Sequence, residues 1–328
     1  MKIFRSIEEL KPVFPHVVLT IGNFDGIHLG HREIFRKVVK TARDAQGTSL
    51  VFTFVPHPLK VLDPVHAPSL INTYEEKERL IAASCIDALV CVPFNLETAK
   101  MTAETFVKDV LVKRIGLRHL IVGYDYAFGR DRQGNVDYLR KSGQENGFEV
   151  EVLPPISING EVFSSTRIRQ CLYSGDVAGV VRLLGRHFNL EGKVMHGAKR
   201  GHRLGFPTAN LKTDKELLPR NGVYAVKVKH RDQVLDGVVN IGCNPTFRVG
   251  GISIEVHLLD FYGDLYGEDL RIYFVDRLRE EILFPSANDL IRAINHDINR
   301  ARDILAQKKV IEYREYLNGN CNVENEES

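Results

Sequence analysis

The hydrophobic period of this chain changes once, near Gly185, and that change restricts the fold more than any single motif. Before it, short apolar runs at residues 17–21, 50–54, 89–92, 120–122 and 150–153 alternate with segments of helical spacing. Within residues 31–42, Ile34, Phe35, Val38, Val39 and Ala42 fall on one helix face, and residues 74–84 have the same character. This alternation builds βαβ units, so an α/β domain with a parallel, Rossmann-like sheet is expected over residues 1–185. Ligands of such sheets sit beyond the carboxyl ends of the strands. After Gly185 the runs become β-rich, at 222–229, 234–241, 253–261 and 270–275, with Gly, Asn, Asp and Pro between them. Residues 186–317 are therefore expected to form a mainly β barrel or sandwich. A helix should close this half, because Ser286 and Asp289 form an N-cap pair ahead of Leu290, Ile291, Ile294, Ile298 and Leu305. The acidic, polar residues 318–328 are expected to be disordered.

Two domains also suit the length, since 328 residues exceed what one core usually serves. A net charge of +2 is too small for the dense basic surface that nucleic-acid backbones require, so no nucleic-acid partner is expected. The charged N-terminal stretch has no apolar core of a signal peptide or anchor, which predicts a cytoplasmic chain with no membrane association. Cys85, Cys91, Cys171, Cys243 and Cys321 lack CxxC spacing and are expected to be reduced and structural. Weak self-association stays open.

The segment VVLTIGNFDGIHLGHREIF runs from an apolar strand through a glycine-punctuated turn into an amphipathic helix. Such a turn holds phosphate: glycines allow close backbone approach, and a helix N-terminus offers unpaired N–H groups and partial positive charge. His28 and His31 at that terminus can donate to one polyphosphate. A bare HxxH is more often a capped helix start, but the string GNFDGIHLGH resembles the HxGH signature of the nucleotidylyltransferase superfamily, in its flavin adenylyltransferase form. FVPHP after the second strand, VGYDYAFGRDRQGN after the fourth and SSTRIR at a helix start follow in that family's order.

The resemblance implies direct attack on the α-phosphorus of ATP without a covalent enzyme intermediate. It implies that Asn23, Phe24, Gly26, His28 and His31 contact ATP, with Ser164, Ser165, Thr166 and Arg167 closing over the phosphates. His57, Asp125 and Phe128 would face the flavin. Tyr126 and Ala127 stand where relatives often carry Phe and Arg, which leaves that loop's flavin contacts open.

In the β-rich half, GKVMHGAKRGHRLGFPTANL joins glycines and a basic cluster to a short polar string. Thr208 and Asn210 offer neutral oxygens suited to Mg²⁺, which takes few protein ligands and completes its shell with water and phosphate. GFPTAN resembles the riboflavin kinase signature, and NIGCNPTF, IEVHLLDF and LYGEDLRIYFVDRLREEILFPS extend the likeness. That family folds as a six-stranded antiparallel barrel. The resemblance implies ATP contacts at Gly197, Lys199, Gly201, Gly205, Pro207, Thr208 and Asn210, Mg²⁺ at Thr208 and Asn210, and Glu255 as general base. His257 and Asp260 read as structural, and His202 replaces the Arg or Lys of relatives. Together the two likenesses imply riboflavin and ATP giving FMN in the C-terminal half, then FMN and ATP giving FAD in the N-terminal half. Two other readings compete: an enzyme with only one module active or with a different acceptor, such as a pantetheine or nicotinamide phosphate, at the first site, or a barrel that binds nucleic acid or protein. The barrel's aromatics lie among acidic as well as basic residues, which is unlike an oligonucleotide groove.

Overall fold

The computed structural model describes residues 1–10, 14–158, 161–196, 204–243 and 252–313. Two compact units emerge from the contacts: residues 1–164 together with Tyr313, and residues 165–312. The division falls ahead of the change in hydrophobic period.

The first unit runs β1 (Lys2–Phe4), β2 (Val17–Ile21), α1 (Leu29–Asp44), β3 (Thr48–Val55), α2 (Pro58–Leu62), α3 (Tyr74–Ala83), β4 (Ala88–Pro93), α4 (Leu96–Ala99) and α5 (Ala103–Thr105). α5 passes into a π-helix, Phe106–Ile115, followed by β5 (Leu117–Gly123), α6 (Val136–Asn146), β6 (Glu149–Leu153) and the hairpin β7 (Ser157–Ile158) and β8 (Glu161–Val162). The main sheet is parallel in the order β1-β4-β3-β2-β5-β6. Strand parity separates its two faces. Leu19, Ile21, Leu50 and Phe52 pack with the π-helix residues Phe106, Val107, Val110 and Leu111, while Val18, Val51, Leu89 and Ile121 pack with α1 and α3. Both faces are covered, so β2 is buried along its whole length and reads as a continuous apolar run. The strand order reverses between β2 and β5, and that switch point opens a crevice at the carboxyl end of β2. Tyr313, 2% exposed, completes this unit's core on the α1 side: its hydroxyl lies 2.6 Å from Ser84 Oγ and its ring lies under the Arg32 guanidinium.

The second unit begins with α7 (Ser165–Ser174) and α8 (Val177–Leu184), continues through β9 (Asn189–Met195), β10 (Ala209–Lys212), β11 (Gly222–His230), β12 (Gln233–Cys243), β13 (Ile252–Leu258) and β14 (Asp269–Arg279), and ends in α9 (Ala287–Leu305). The six strands close as an antiparallel barrel in the order β10-β13-β12-β11-β14-β9. The expected closing helix is present, with Ser286 accepting the Asp289 N–H at 3.2 Å. Its Ala301 and Leu305 pack on Val223, Ala225, Val275 and Leu278 of the barrel wall. The strand expected to reach Phe261 stops at Leu258, because Asp260 adopts a left-handed backbone (φ 56°) that ends the ladder.

Cys91 and Cys171 are free and buried. Cys85 is disulfide-bonded, which corrects the expectation that all the cysteines are reduced. Sequence spacing does not disclose which sulfurs the fold brings together, and spatial distance alone sets that pairing. No helix among the described residues is long and apolar enough to cross a membrane.

Candidate active sites

The first site grows from the end of β2. Gly22 donates its N–H to Phe52 O, and the chain then turns through left-handed positions at Phe24 (φ 46°), Gly26 (φ 86°) and Ile27 (φ 37°) before α1 begins. Positive φ at Phe24 and Ile27 is strained, and burial of both side chains holds it in place. Phe24 packs on Phe35 of α1 and edge-on to His31, with ring centroids 4.9 and 5.3 Å away.

His28 is the N-cap of α1, and its Nδ1 accepts the His31 backbone N–H at 3.3 Å. The lone pair is therefore on Nδ1, and in the neutral ring Nε2 carries the hydrogen and remains the donor. The His28 and His31 rings stack, with centroids 3.7 Å apart and planes within 20°. Two stacked imidazoles at the positive end of a helix form a cradle for an anion. Underneath, the buried Asp25 carboxylate accepts N–H groups from Ile71 at 3.0 Å and Asn72 at 3.4 Å. Lys77, also buried, donates to Asn23 O at 2.8 Å. Burial lowers the Lys77 pKa while Asp25 opposes that shift.

His57 caps α2, with Nδ1 accepting Leu59 N–H at 3.2 Å and its own N–H donated to the Tyr74 hydroxyl. Asp125 is exposed in the turn after β5. Phe128 is buried and joined to Gly134 by a pair of 2.9 Å backbone hydrogen bonds. It borders an apolar cavity of about 360 Å³ walled by Phe52, Phe54, Phe94 and Phe106. Ser164 closes the first unit, and Ser165, Thr166 and Arg167 form the first turn of α7.

The barrel holds the second site on its outer face. Ile254, Val256 and Leu258 of β13 are buried, so Glu255 and His257 take the opposite face. Glu255 pairs in register with Asn210 of β10 on one side and Asn240 of β12 on the other, which puts these side chains on one face. Thr208 Oγ1 stands 3.5 Å from Glu255 Oε2, at the long limit of a hydrogen bond. His257 Nδ1 lies 2.8 Å from Pro207 O; a carbonyl only accepts, so this nitrogen carries the hydrogen and ties the GFPTAN turn to β13. Gly205 supplies the left-handed step (φ 88°) just ahead of it. Asp260 is ion-paired with Arg302 at 2.6 Å on the surface, away from any chemistry.

A cavity of about 530 Å³ has Thr208, Asn240, Glu255 and His257 on its barrel side and Phe284, Leu290, Ile294 and Ile298 on its α9 side. At its edge Arg279 Nε bonds both oxygens of buried Asp297 at 2.9 and 3.2 Å. Burial raises the Asp297 carboxyl above its usual value, with Arg279 pulling the other way. Gly197, Lys199, Gly201 and His202 lie outside the described residues.

The model of the FAD synthetase family matches residues 11–167, and that of the riboflavin kinase family matches residues 184–305. The chain is 38% identical over 307 residues to the bifunctional riboflavin kinase/FMN adenylyltransferase of Pseudomonas fluorescens, covering 93% of this chain and 98% of the relative. The chain belongs to the bifunctional riboflavin kinase/FMN adenylyltransferase family. The family member of Escherichia coli strain K12 is 37% identical over 313 residues, covering 94% of this chain and 99% of the relative. A Streptococcus pneumoniae crystal structure named a macrolide-efflux protein superposes with a TM-score of 0.84 at 32% identity, over 92% of this chain and 98% of that one.

Against that family background, the sequence reading missed the buried support of the HxGH turn, Asp25 with Lys77, and the Arg279–Asp297 pair beside the second cavity. Lys77 and Asp297 are charged residues on helices, where solvent exposure is the default reading; only packing shows them buried. Phe52 and Phe54 alternate along β3 like ordinary core, and nothing in their spacing marks them as cavity wall.

Proposed function

We propose that the two units perform consecutive ATP-dependent transfers on one flavin: phosphorylation of riboflavin to FMN at the barrel, then adenylylation of FMN to FAD at the parallel sheet. The observation that carries this reading is the stacked His28–His31 pair, capping α1 at the switch point of the sheet. The match to both family models supports it.

In the kinase step, Glu255 accepts the proton of the ribityl 5′-hydroxyl as that oxygen attacks the γ-phosphorus and ADP departs. The hydroxyl of Thr208 and the side-chain oxygen of Asn210 share the face of Glu255, a hard, neutral donor set that fits Mg²⁺. Bound there, Mg²⁺ would neutralise the phosphate charge. No group of three or more His, Cys, Asp or Glu among the described residues could hold a metal, so Thr208 and Asn210 would act with phosphate oxygens. Gly205, Pro207 and the loop glycines and Lys199 hold ATP, and the apolar α9 wall takes the flavin ring.

In the adenylyl step, a phosphate oxygen of FMN attacks the α-phosphorus of a second ATP, and diphosphate leaves. Nothing in this step needs a protein nucleophile; charge stabilisation and positioning suffice. His28 Nε2, His31, Asn23 and the amides around Phe24 and Gly26 bind the phosphates, with Ser164, Ser165, Thr166 and Arg167 on the departing diphosphate. His57, Asp125 and Phe128 serve the flavin side, with the phenylalanine-walled cavity receiving the ring; its volume is in the range of small-molecule sites. ATP as co-substrate supports a cytoplasmic reading, and the Cys85 disulfide weighs against it.

The test is a time course from riboflavin and MgATP resolved by chromatography. FMN should appear first and FAD after it. FMN without FAD would remove the adenylyltransferase reading, and unchanged riboflavin would remove the kinase reading.

A further inference from the structure

Nothing in the proposed chemistry uses Lys77, yet it is among the most deeply buried cations in the first unit. It is 2% exposed on α3, and its Nζ ends 2.8 Å from the carbonyl oxygen of Asn23, inside the HxGH turn. The same oxygen receives the Thr53 hydroxyl at 3.4 Å, from a side chain with no exposed surface. Burying an ammonium is costly unless it is well partnered, so its place under the turn calls for a reason.

Peptide geometry supplies one. The cis bond among the described residues is Val55–Pro56, so Asn23–Phe24 is trans, and its C=O and N–H point to opposite sides of one rigid plane. Lys77 and Thr53 hold the carbonyl inward. The Phe24 N–H must then face outward, and it takes no acceptor among the described residues. Phe24 itself is left-handed at φ 46°, the kind of turn in which successive amides form an anion-binding concavity. If the plane flipped, a carbonyl oxygen would replace a donor at the mouth of the turn and repel phosphate.

The support is braced from several sides. Asp25 ties the turn to the segment before α3 through the Ile71 and Asn72 amides. α3 starts with a capping box in which Glu76 N–H goes to Thr73 Oγ1 at 3.2 Å and Thr73 N–H to Glu76 Oε2 at 3.0 Å. Asn72 Nδ2 adds a bond to Glu76 Oε2. The helix that carries Lys77 is thus locked at the end nearest the turn.

We infer that Lys77 is a positioning residue for adenylyl transfer: it fixes the Asn23 carbonyl inward and so presents the Phe24 amide to the phosphates of the nucleotide. This rests on the adenylyltransferase reading of the site.

The experiment compares Lys77→Met and Lys77→Arg with the parent, following FMN to FAD and, in the same preparations, riboflavin to FMN. Lys77→Met should lose on the order of 10²-fold in kcat for FAD formation, the size of one lost oxyanion donor. Its KM for FMN and its kinase rate should not change, and Lys77→Arg should recover most of the loss. A kinase-active Lys77→Met protein whose FAD synthesis stays within about threefold of the parent would overturn the inference. Should Lys77→Met fail to fold, the parent protein still decides. With isotope-labelled phenylalanine, the Phe24 amide resonance, assigned by its loss in Phe24→Leu, should shift when diphosphate is added. An unmoved resonance under saturating diphosphate would overturn the inference. A parent protein that makes no FAD would instead remove the reading on which it rests, and the amide measurement would stand apart from that result.

Discussion

The two candidate sites are built from different materials. In the parallel-sheet unit two imidazoles share the site with main-chain amides, set by left-handed residues and a helix start and held from below by buried Asp25 and Lys77. In the barrel unit the polar groups are side chains on one outer face, aligned by strand register at Asn210, Glu255 and Asn240. A turn site spreads its chemistry over several groups and depends on the whole turn keeping its shape. A register site concentrates its chemistry in single residues. That contrast predicts how each will fail.

The largest effect belongs to the register site. Glu255→Gln keeps the shape and removes the proposed base, and FMN formation should fall about 10² to 10⁴-fold while added FMN still becomes FAD. Full kinase rate in this variant would take Glu255 out of the mechanism and erase the contrast. Next, His28→Ala removes one imidazole donor and the cap of α1 but leaves the amides. FAD formation should fall about 10² to 10³-fold, so that FMN accumulates from riboflavin. Unimpaired FAD synthesis would unseat the HxGH assignment, and a loss well below that range would mean the main chain does nearly all the work.

The smallest effect sharpens the comparison of buried charges. Asp297, unlike Lys77, sits beside a cavity, and its carboxyl is held above the usual value of 3.8 by burial. Just above that pH the folded protein holds a proton the unfolded chain has released, so this group's contribution to stability falls as pH rises through the window. Asp297→Asn should flatten that slope, read from denaturant melts between mildly acidic and neutral pH. An identical slope in parent and variant would show that Arg279 cancels the burial effect in full.

Much of this was legible in the sequence, for reasons that differ by element. β2, β3, β4 and β5 announce themselves because strands inside a sheet covered on both faces carry apolar runs, β6 by the alternation of Val150 and Val152 with Glu149 and Glu151, and α9 because Ser286 caps an amphipathic run. Glu255 could be placed on the face opposite Ile254 and Val256 by parity alone, and the structure puts it there. β1 and β10 were hidden by their shortness, and β9 by its alternation of Leu190 and Val194 with polar and glycine residues. The π-helix, Phe106–Ile115, carries no signature in apolar spacing that separates it from an ordinary helix. The supports of the first site were invisible for a deeper reason. Asp25 meets Ile71, and Lys77 meets Asn23, only once the sheet has brought distant segments together.

Tyr313 gives the first unit a discontinuous definition, because a residue that follows the barrel in the chain completes a core that precedes it. During vectorial synthesis the ribosome must deliver every strand of the barrel before that core receives its last aromatic ring. The N-terminal unit is therefore translated first and finished last, and a fragment cut after residue 164 would carry a permanent vacancy beside Arg32 and Ser84.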